Sequence, residues 1–278
     1  MSDEATFSGD FHMVKCWLEK KGLARLGKEL GLPLHRTDTN YLVHCALGQL
    51  FDDHAPKPFS VDETPASNGR HGNEDERFVR VLGYTGADSD ALHDTARDYA
   101  SPTVYKLCDW RGDRFGSTEM PDQLPEELRL RFELRACPVV RKSSAGEGEN
   151  RAGKPRTWHA GQELDAFLAE AWTSERDDEL DRETVYRRWL TRQFDQRGGA
   201  TVEPDDISME RFSIERMTRR SHGDNGEADR PVHTVKKPDV TLTGTLTVTD
   251  SEAFTDLLRS GIGRHKSFGY GMLKVRRA

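Results

Sequence analysis

Residues 143–155 (SSAGEGENRAGKP) contain glycine, serine and charge but, apart from the closing proline, no apolar side chain larger than alanine. Such a run has nothing to give to a core and reads as a linker. It divides the 278 residues into two parts, each of a size that suits one domain. Ahead of it, residues 12–18 (HMVKCWL) alternate as a strand, and 40–51 (NYLVHCALGQLF) follow a helical period. Val43, Ala46, Leu47 and Leu50 share one side of that helix, and Asp38, Thr39 or Asn40 can cap its start. Residues 19–39 read as a basic connection and 53–73 as a loop. Residues 77–84 (RFVRVLGY) and 128–140 (LRLRFELRACPVV) are strands. Beyond the linker come helical stretches at 162–172 and 184–196, then strands at 211–218 and 240–248 (VTLTGTLTV). A short helix at 251–259, capped by Thr249 or Asp250, stops at Gly261, and a last strand spans 268–275. This order predicts an α+β protein with two ferredoxin-like (βαββαβ) domains in tandem, joined by a flexible linker. The expected division is 1–143, linker 144–156, and 157–278.

With 48 acidic and 41 basic residues, the net charge of −7 argues on its own against a nucleic-acid binder. Its distribution matters more than the sum, so the whole-chain charge settles nothing. From Arg259 onward there are six basic residues (Arg259, Arg264, Lys266, Lys274, Arg276, Arg277) and no acid, while acids collect at 175–183. No run of about 18 apolar residues is present, so no membrane span is expected. Residues 1–10 are acidic and unlike a leader, and a cytoplasmic location is the expectation. Cys16, Cys45, Cys108 and Cys137 stand apart in apolar contexts and read as small core residues, with neither disulfide nor zinc spacing. No metal and no cofactor is expected.

The segment 261–273 (GIGRHKSFGYGML) sets four glycines, Gly261, Gly263, Gly269 and Gly271, around Arg264, His265 and Lys266. Glycines let a backbone approach a ligand closely, and exposed N–H groups with fixed cations suit a phosphodiester chain; the same glycines equally serve a tight helix-to-strand turn. The order is neither that of a Walker loop nor that of a dinucleotide fingerprint. A second basic patch, 216–222 (RMTRRSH), carries Arg216, Arg219 and Arg220 at the end of a strand. Hairpin arginines there suit the phosphates of an RNA stem, with a solvated hairpin balanced by Asp224, Glu227 and Asp229 as the alternative.

The C-terminal segment resembles the G-I-G-R-x-K-x-F-G-x-G-L-L ending of the CasE family, with Met272 at a usual leucine. Residues 131–140 (RFELRACPVV) are similar to its F-x-L-R-A-N-P-V stretch, with Cys137 replacing the asparagine. Residues 41–44 (YLVH), leading into 48–51 (GQLF), resemble its Y-x-L-H motif. CasE is the repeat-processing endoribonuclease of type I-E CRISPR systems. The resemblance implies a double ferredoxin-like fold, cleavage of the CRISPR repeat RNA hairpin on the 3′ side of its stem-loop, and retention with the other Cascade subunits. It also implies that His44 is catalytic and that Tyr41 assists.

The residues are compatible with those roles. At about 100° per residue, Tyr41, His44 and Gly48 share a helical face well away from Val43, Leu47 and Leu50, so His44 does not aim at the core centre. In RNA the 2′-OH beside each phosphate is a built-in nucleophile. A histidine can take its proton or protonate the leaving 5′-oxygen, giving a 2′,3′-cyclic phosphate and a 5′-OH without metal. One histidine leaves the second proton carrier unassigned. Tyr41, as a phenol, is a poor general base and would position the hydroxyl or stack on a base. Lys142, Lys154, Arg219, Arg220 and Lys266 are candidates to stabilise the phosphorane, and Arg141 joins them as an RNA contact. The rival reading is a scaffold subunit of a CRISPR surveillance complex that holds RNA without cutting it.

Overall fold

A computed structural model describes residues 11–63, 72–150, 153–173, 180–220 and 232–278. The first unit runs β1 (His12–Glu19), α1 (Lys20–Glu29), α2 (Thr39–Phe51), β2 (Phe59–Asp62), β3 (Phe78–Thr85), α3 (Ser89–Tyr99), α4 (Pro102–Tyr105) and β4 (Gly116–Glu119). Its antiparallel sheet has the order β2-β3-β1-β4, the ferredoxin-like arrangement. Alternation in β1 and β3 sends Val14, Cys16, Leu18, Val79 and Val81 inward, against Leu23 and Leu26 of α1 and Val43, Leu47 and Leu50 of α2. α1 falls where a connection was expected. Its apolar signal is the pair Leu23 and Leu26, set among lysines and two glycines, Gly22 and Gly27, that lower helix propensity. Gly27 is required for packing: a Cβ there would meet Leu34 at 2.6 Å and Leu42 at 2.8 Å.

The second unit begins earlier than expected. β5 (Arg129–Ala136) pairs along its length with β12 (Val232–Val248) and on its other edge with β13 (Leu273–Arg277). The boundary at 143 is thereby corrected: residues 129–136 belong to the C-terminal sheet. Alternation identifies a strand but not its partner. Leu130, Phe132 and Leu134 settle in one cluster with Leu242, Leu246 and Leu273, opposite Tyr186, Leu190, Phe254 and Leu257.

The stretch 144–156 is likewise more than a flexible linker. After β6 (Val139–Arg141), β7 (Gly146–Glu149) pairs with β8 (Pro155–Trp158), residues 151–152 lying outside the described residues. Gly146 lies under the Trp158 ring, where a Cβ would come within 2.7 Å, so that glycine serves packing. The helix expected at 162–172 is instead β9 (Glu163–Asp165), paired with β6, followed by α5 (Ala166–Ala171). α6 (Arg182–Arg197), β10 (Ala200–Thr201), β11 (Ser208–Arg220), β12, α7 (Ser251–Ser260) and β13 complete the unit. Its sheet order, β10-β12-β5-β13 with β11 also on β12, is again ferredoxin-like, so the chain is a tandem of two such units. The segments between β5 and α6 are an insertion into the second. The strand expected at 268–275 starts later, at Leu273, because Lys266–Phe268 form a 3₁₀ turn. Among the described residues no helix is long and apolar enough to cross a membrane.

Candidate active site

α2 begins at Asp38, whose carboxylate accepts the N–H of Tyr41 at 2.9 Å and caps the helix. Its second oxygen accepts the N–H of Thr218 in β11 at 2.8 Å, so one carboxylate ties the start of α2 to the second unit. Val43, Ala46, Leu47 and Leu50 fill the first core, and Tyr41 and His44 face elsewhere, as the helical period predicts. What covers them comes from the glycine-rich segment. Phe268 stacks on Tyr41 with centroids 6.0 Å apart at 11°, and lies 5.2 Å from the His44 ring. Tyr41 is buried and His44 half-buried. Gly48, on the same face, is exposed with nothing within 4 Å of a Cβ there.

Burial lowers the pKa of His44 below the ordinary histidine value, and the charge of Lys57 lowers it further. Burial also brings Lys266 down to about 8, assisted by the charges of Arg197 and Lys57. The charge of Lys57 thus acts on both groups. Lys57 lies in the stretch read from sequence as an undistinguished loop. Tertiary packing brings it here: the Lys57 N–H goes to the Tyr84 carbonyl at 2.9 Å, and Pro58 packs on Gly261, where a Cβ would be 2.8 Å from the proline ring.

The glycines of 261–273 do not form the expected row of free N–H groups. Gly261 N–H goes to the Leu257 carbonyl at 2.8 Å and Gly271 N–H to the Arg135 carbonyl at 2.8 Å. Gly261, Gly263, Gly269 and Gly271 all have positive φ, between 68° and 82°. A Cβ on Gly269 would press on Asn40 at 3.0 Å, and one on Gly263 on the Trp189 ring at the same distance. These glycines dock the loop against α2 and α6, the tight-turn alternative noted above. Arg264 and His265 reach Glu163: Arg264 Nε is 2.6 Å and His265 Nε2 3.1 Å from its carboxylate.

The remaining expected contacts are spread more widely. Arg216 is exposed on β11, directly across from exposed Lys236 of β12. The backbones of Arg219 and Arg220 continue the same ladder, opposite His233 and Val232; their side chains lie outside the described residues. Arg141 ends β6, Lys142 sets its ammonium 4.4 Å over the Trp158 ring, and exposed Lys154 closes a turn with Asn150, so these three sit on the insertion. A cleft of about 800 Å³ between the units is lined by Asn40, Arg135, Arg216, Asp239, Phe268 and Tyr270 among others. Cys16, Cys108 and Cys137 are buried, as core residues should be. Among the described residues no group of three or more His, Cys, Asp or Glu is placed to hold a metal ion.

A family model described as CRISPR associated protein matches residues 11–277. Among solved structures, Thermus thermophilus Cse3 bound to an RNA representing a pre-cleavage complex is 18% identical. That match covers 96% of this chain and 99% of that one with a TM-score of 0.54. CRISPR endoribonuclease Cse3 bound to a 19-nucleotide RNA is 20% identical over 96% and 99% of the two chains, also at 0.54. These likenesses are likenesses of fold. A search of the curated proteins finds no match.

Proposed function

Because the chain belongs to the CRISPR-associated protein family whose model spans residues 11–277, we propose that it is a metal-independent endoribonuclease acting on CRISPR precursor RNA. It cleaves at the repeat stem-loop and stays on the product as a Cascade subunit. The observation that carries this reading is the seating of Tyr41 and His44 under Phe268 of the turn Lys266–Phe268, within reach of the charge of Lys57. The fold shared with RNA-bound Cse3 supports it.

In this reaction the 2′-oxygen bonds to phosphorus and the bond from phosphorus to the 5′-oxygen breaks. A 2′,3′-cyclic phosphate and a 5′-OH result. His44, its pKa held below the ordinary value of about 6.5, is neutral at pH 7 and suits removal of the 2′-OH proton. Lys266 and Lys57 supply positive charge where the phosphorane forms. Tyr41, its ring fixed by Phe268, positions the nucleotide. The stem lies along the β11–β12 ladder. There Arg216 and Lys236 face each other, an arrangement that costs stability between like charges unless phosphate joins them. Arg219 and Arg220 extend this track, and Arg141, Lys142 and Lys154 on the insertion meet RNA farther out.

His44→Ala tests the assignment. Cleavage should be lost under single-turnover conditions while hairpin affinity stays within about threefold, because proton transfer adds little ground-state binding. Cleavage by the variant at the wild-type rate would remove His44 from the chemistry. Wild-type protein that binds the hairpin and never cuts it would be an RNA-holding subunit.

A further inference from the structure

Glu163 stands on β9, inside the insertion, and gathers two cations and a histidine from two other segments. Its carboxylate lies 2.6 Å from Arg264 Nε, 2.8 Å from Lys237 Nζ of β12, and 3.1 Å from His265 Nε2. The Glu163 and Lys237 side chains are each 10% exposed and that of His265 2%, so those two contacts are shielded from water, whereas Arg264 is half-exposed. Burial disfavours the carboxylate charge, but the contacts from His265 and Lys237 outweigh it and hold the carboxyl well below the usual range.

His265 is also the one position where this loop asks a side-chain-bearing residue to take a glycine conformation. Its φ is 65°, in the left-handed region, while the other positive-φ positions nearby are glycines. A residue with a Cβ persists there only where its surroundings hold it. The hold is Glu163. The His265 carbonyl accepts the N–H of Phe268 at 2.8 Å, closing the turn that carries Lys266 and Phe268. Gly269 then docks on Asn40, next to Tyr41. The turn is therefore gripped on one side by Glu163 and on the other by α2.

We propose that Glu163 is a positioning residue: it anchors Arg264 and His265 so that the following turn presents Phe268 to Tyr41 and His44 and brings Lys266 beside them. Arg264 and His265 then serve the loop and not the RNA, and the insertion between β5 and α6 acts as a brace for the site. The inference rests on the reading of Tyr41 and His44 as the cleavage site.

The test uses Glu163→Gln in the full chain, with three readouts. Single-turnover cleavage of a repeat hairpin should fall about 10- to 100-fold, the range that follows from small misplacement of reacting groups. Affinity for a hairpin carrying a 2′-deoxy nucleotide at the cut, which cannot react, should change less than about threefold. In ¹³C-histidine-labelled protein, the His44 ring resonance, assigned by its loss in His44→Ala, should move as the Phe268 ring shifts. An unmoved resonance with unimpaired cleavage would overturn the proposal. So would affinity falling in step with cleavage, which would make Arg264 and His265 RNA contacts. If Glu163→Gln does not fold, His265→Gly serves, since glycine accepts the backbone conformation while losing the grip on Glu163. It should show the same split, and wild-type cleavage by it would overturn the proposal. The His44 resonance is read without RNA, so it tests the brace even if His44 proves not to be catalytic.

Discussion

Replacing Lys266 by arginine separates a cation that stabilises charge from a group that delivers a proton. Lys266 titrates at about 8 because it is buried and crowded by Arg197 and Lys57. If the reaction needs it charged, kcat/KM should decline above pH 8, to about one eleventh by pH 9, then about tenfold per further unit. The acid side is set by His44, which must be neutral. Its pKa is lowered by burial and by Lys57, so the rising limb lies below the ordinary histidine value of about 6.5. The free protein should therefore show a bell with its plateau between these limits. Arginine keeps its charge throughout this range, so Lys266→Arg should flatten the alkaline limb and leave the acid limb in place. Lys57→Ala removes a charge that depresses both groups, so both limbs should move to higher pH together. The assay is single-turnover cleavage of a repeat hairpin below saturation, from about pH 5 to about pH 10. An alkaline limb at the same pH in Lys266→Arg would refute the assignment of that limb to Lys266. Loss of cleavage at every pH in this variant would make Lys266 the proton donor to the leaving oxygen.

Two further outcomes are expected. Arg219→Ala with Arg220→Ala should weaken hairpin binding and reduce the slope of log K against log salt by up to about one to two, read from filter binding over a salt series; an unchanged slope would leave these arginines solvated. Asp239 is fully buried and accepts from Arg135 at 2.5 and 3.0 Å and from Arg211 at 3.1 Å. Asp239→Asn should therefore cost about 3–5 kcal/mol in a denaturant titration, because it strands Arg135 beside the cleft; a loss below about 1 kcal/mol would show that water replaces the pair.

The sequence carried the elements whose periodicity is local. α2 was legible in Val43, Ala46, Leu47 and Leu50 and in its acidic cap, and so was the fact that His44 leaves that core. Pairing was not legible, since β5 alternates in the same way whichever unit it joins; its place between β12 and β13 is decided by contacts more than a hundred residues away. α3 leaves only a weak trace in the sequence, an Asp88 cap with Leu92 and Ala96 four apart, because Ser89–Tyr99 is otherwise almost wholly polar. In the site, Tyr41, His44 and Lys266 carried motif signals. Lys57 and Lys236 had none, being single cations placed by tertiary packing. The glycine-rich motif left two readings open, a phosphate cradle and a tight turn; Gly261 and Gly271 have their N–H groups in internal bonds and Arg264 and His265 contact Glu163. Close packing of a turn and close approach of a ligand ask for the same residue.

The central claim is that the RNA supplies its own nucleophile and that protein side chains alone manage the charge. Its most direct measurement is the chemistry of the product ends, taken in EDTA with a folded repeat hairpin, beside the same hairpin carrying one 2′-deoxy nucleotide immediately upstream of the cut. The account predicts a 2′,3′-cyclic phosphate upstream and a 5′-OH downstream at an undiminished rate. It also predicts no cleavage of the deoxy hairpin, which still binds. A 5′-phosphate on the downstream product, cleavage of the deoxy hairpin, or loss of activity in EDTA would contradict it.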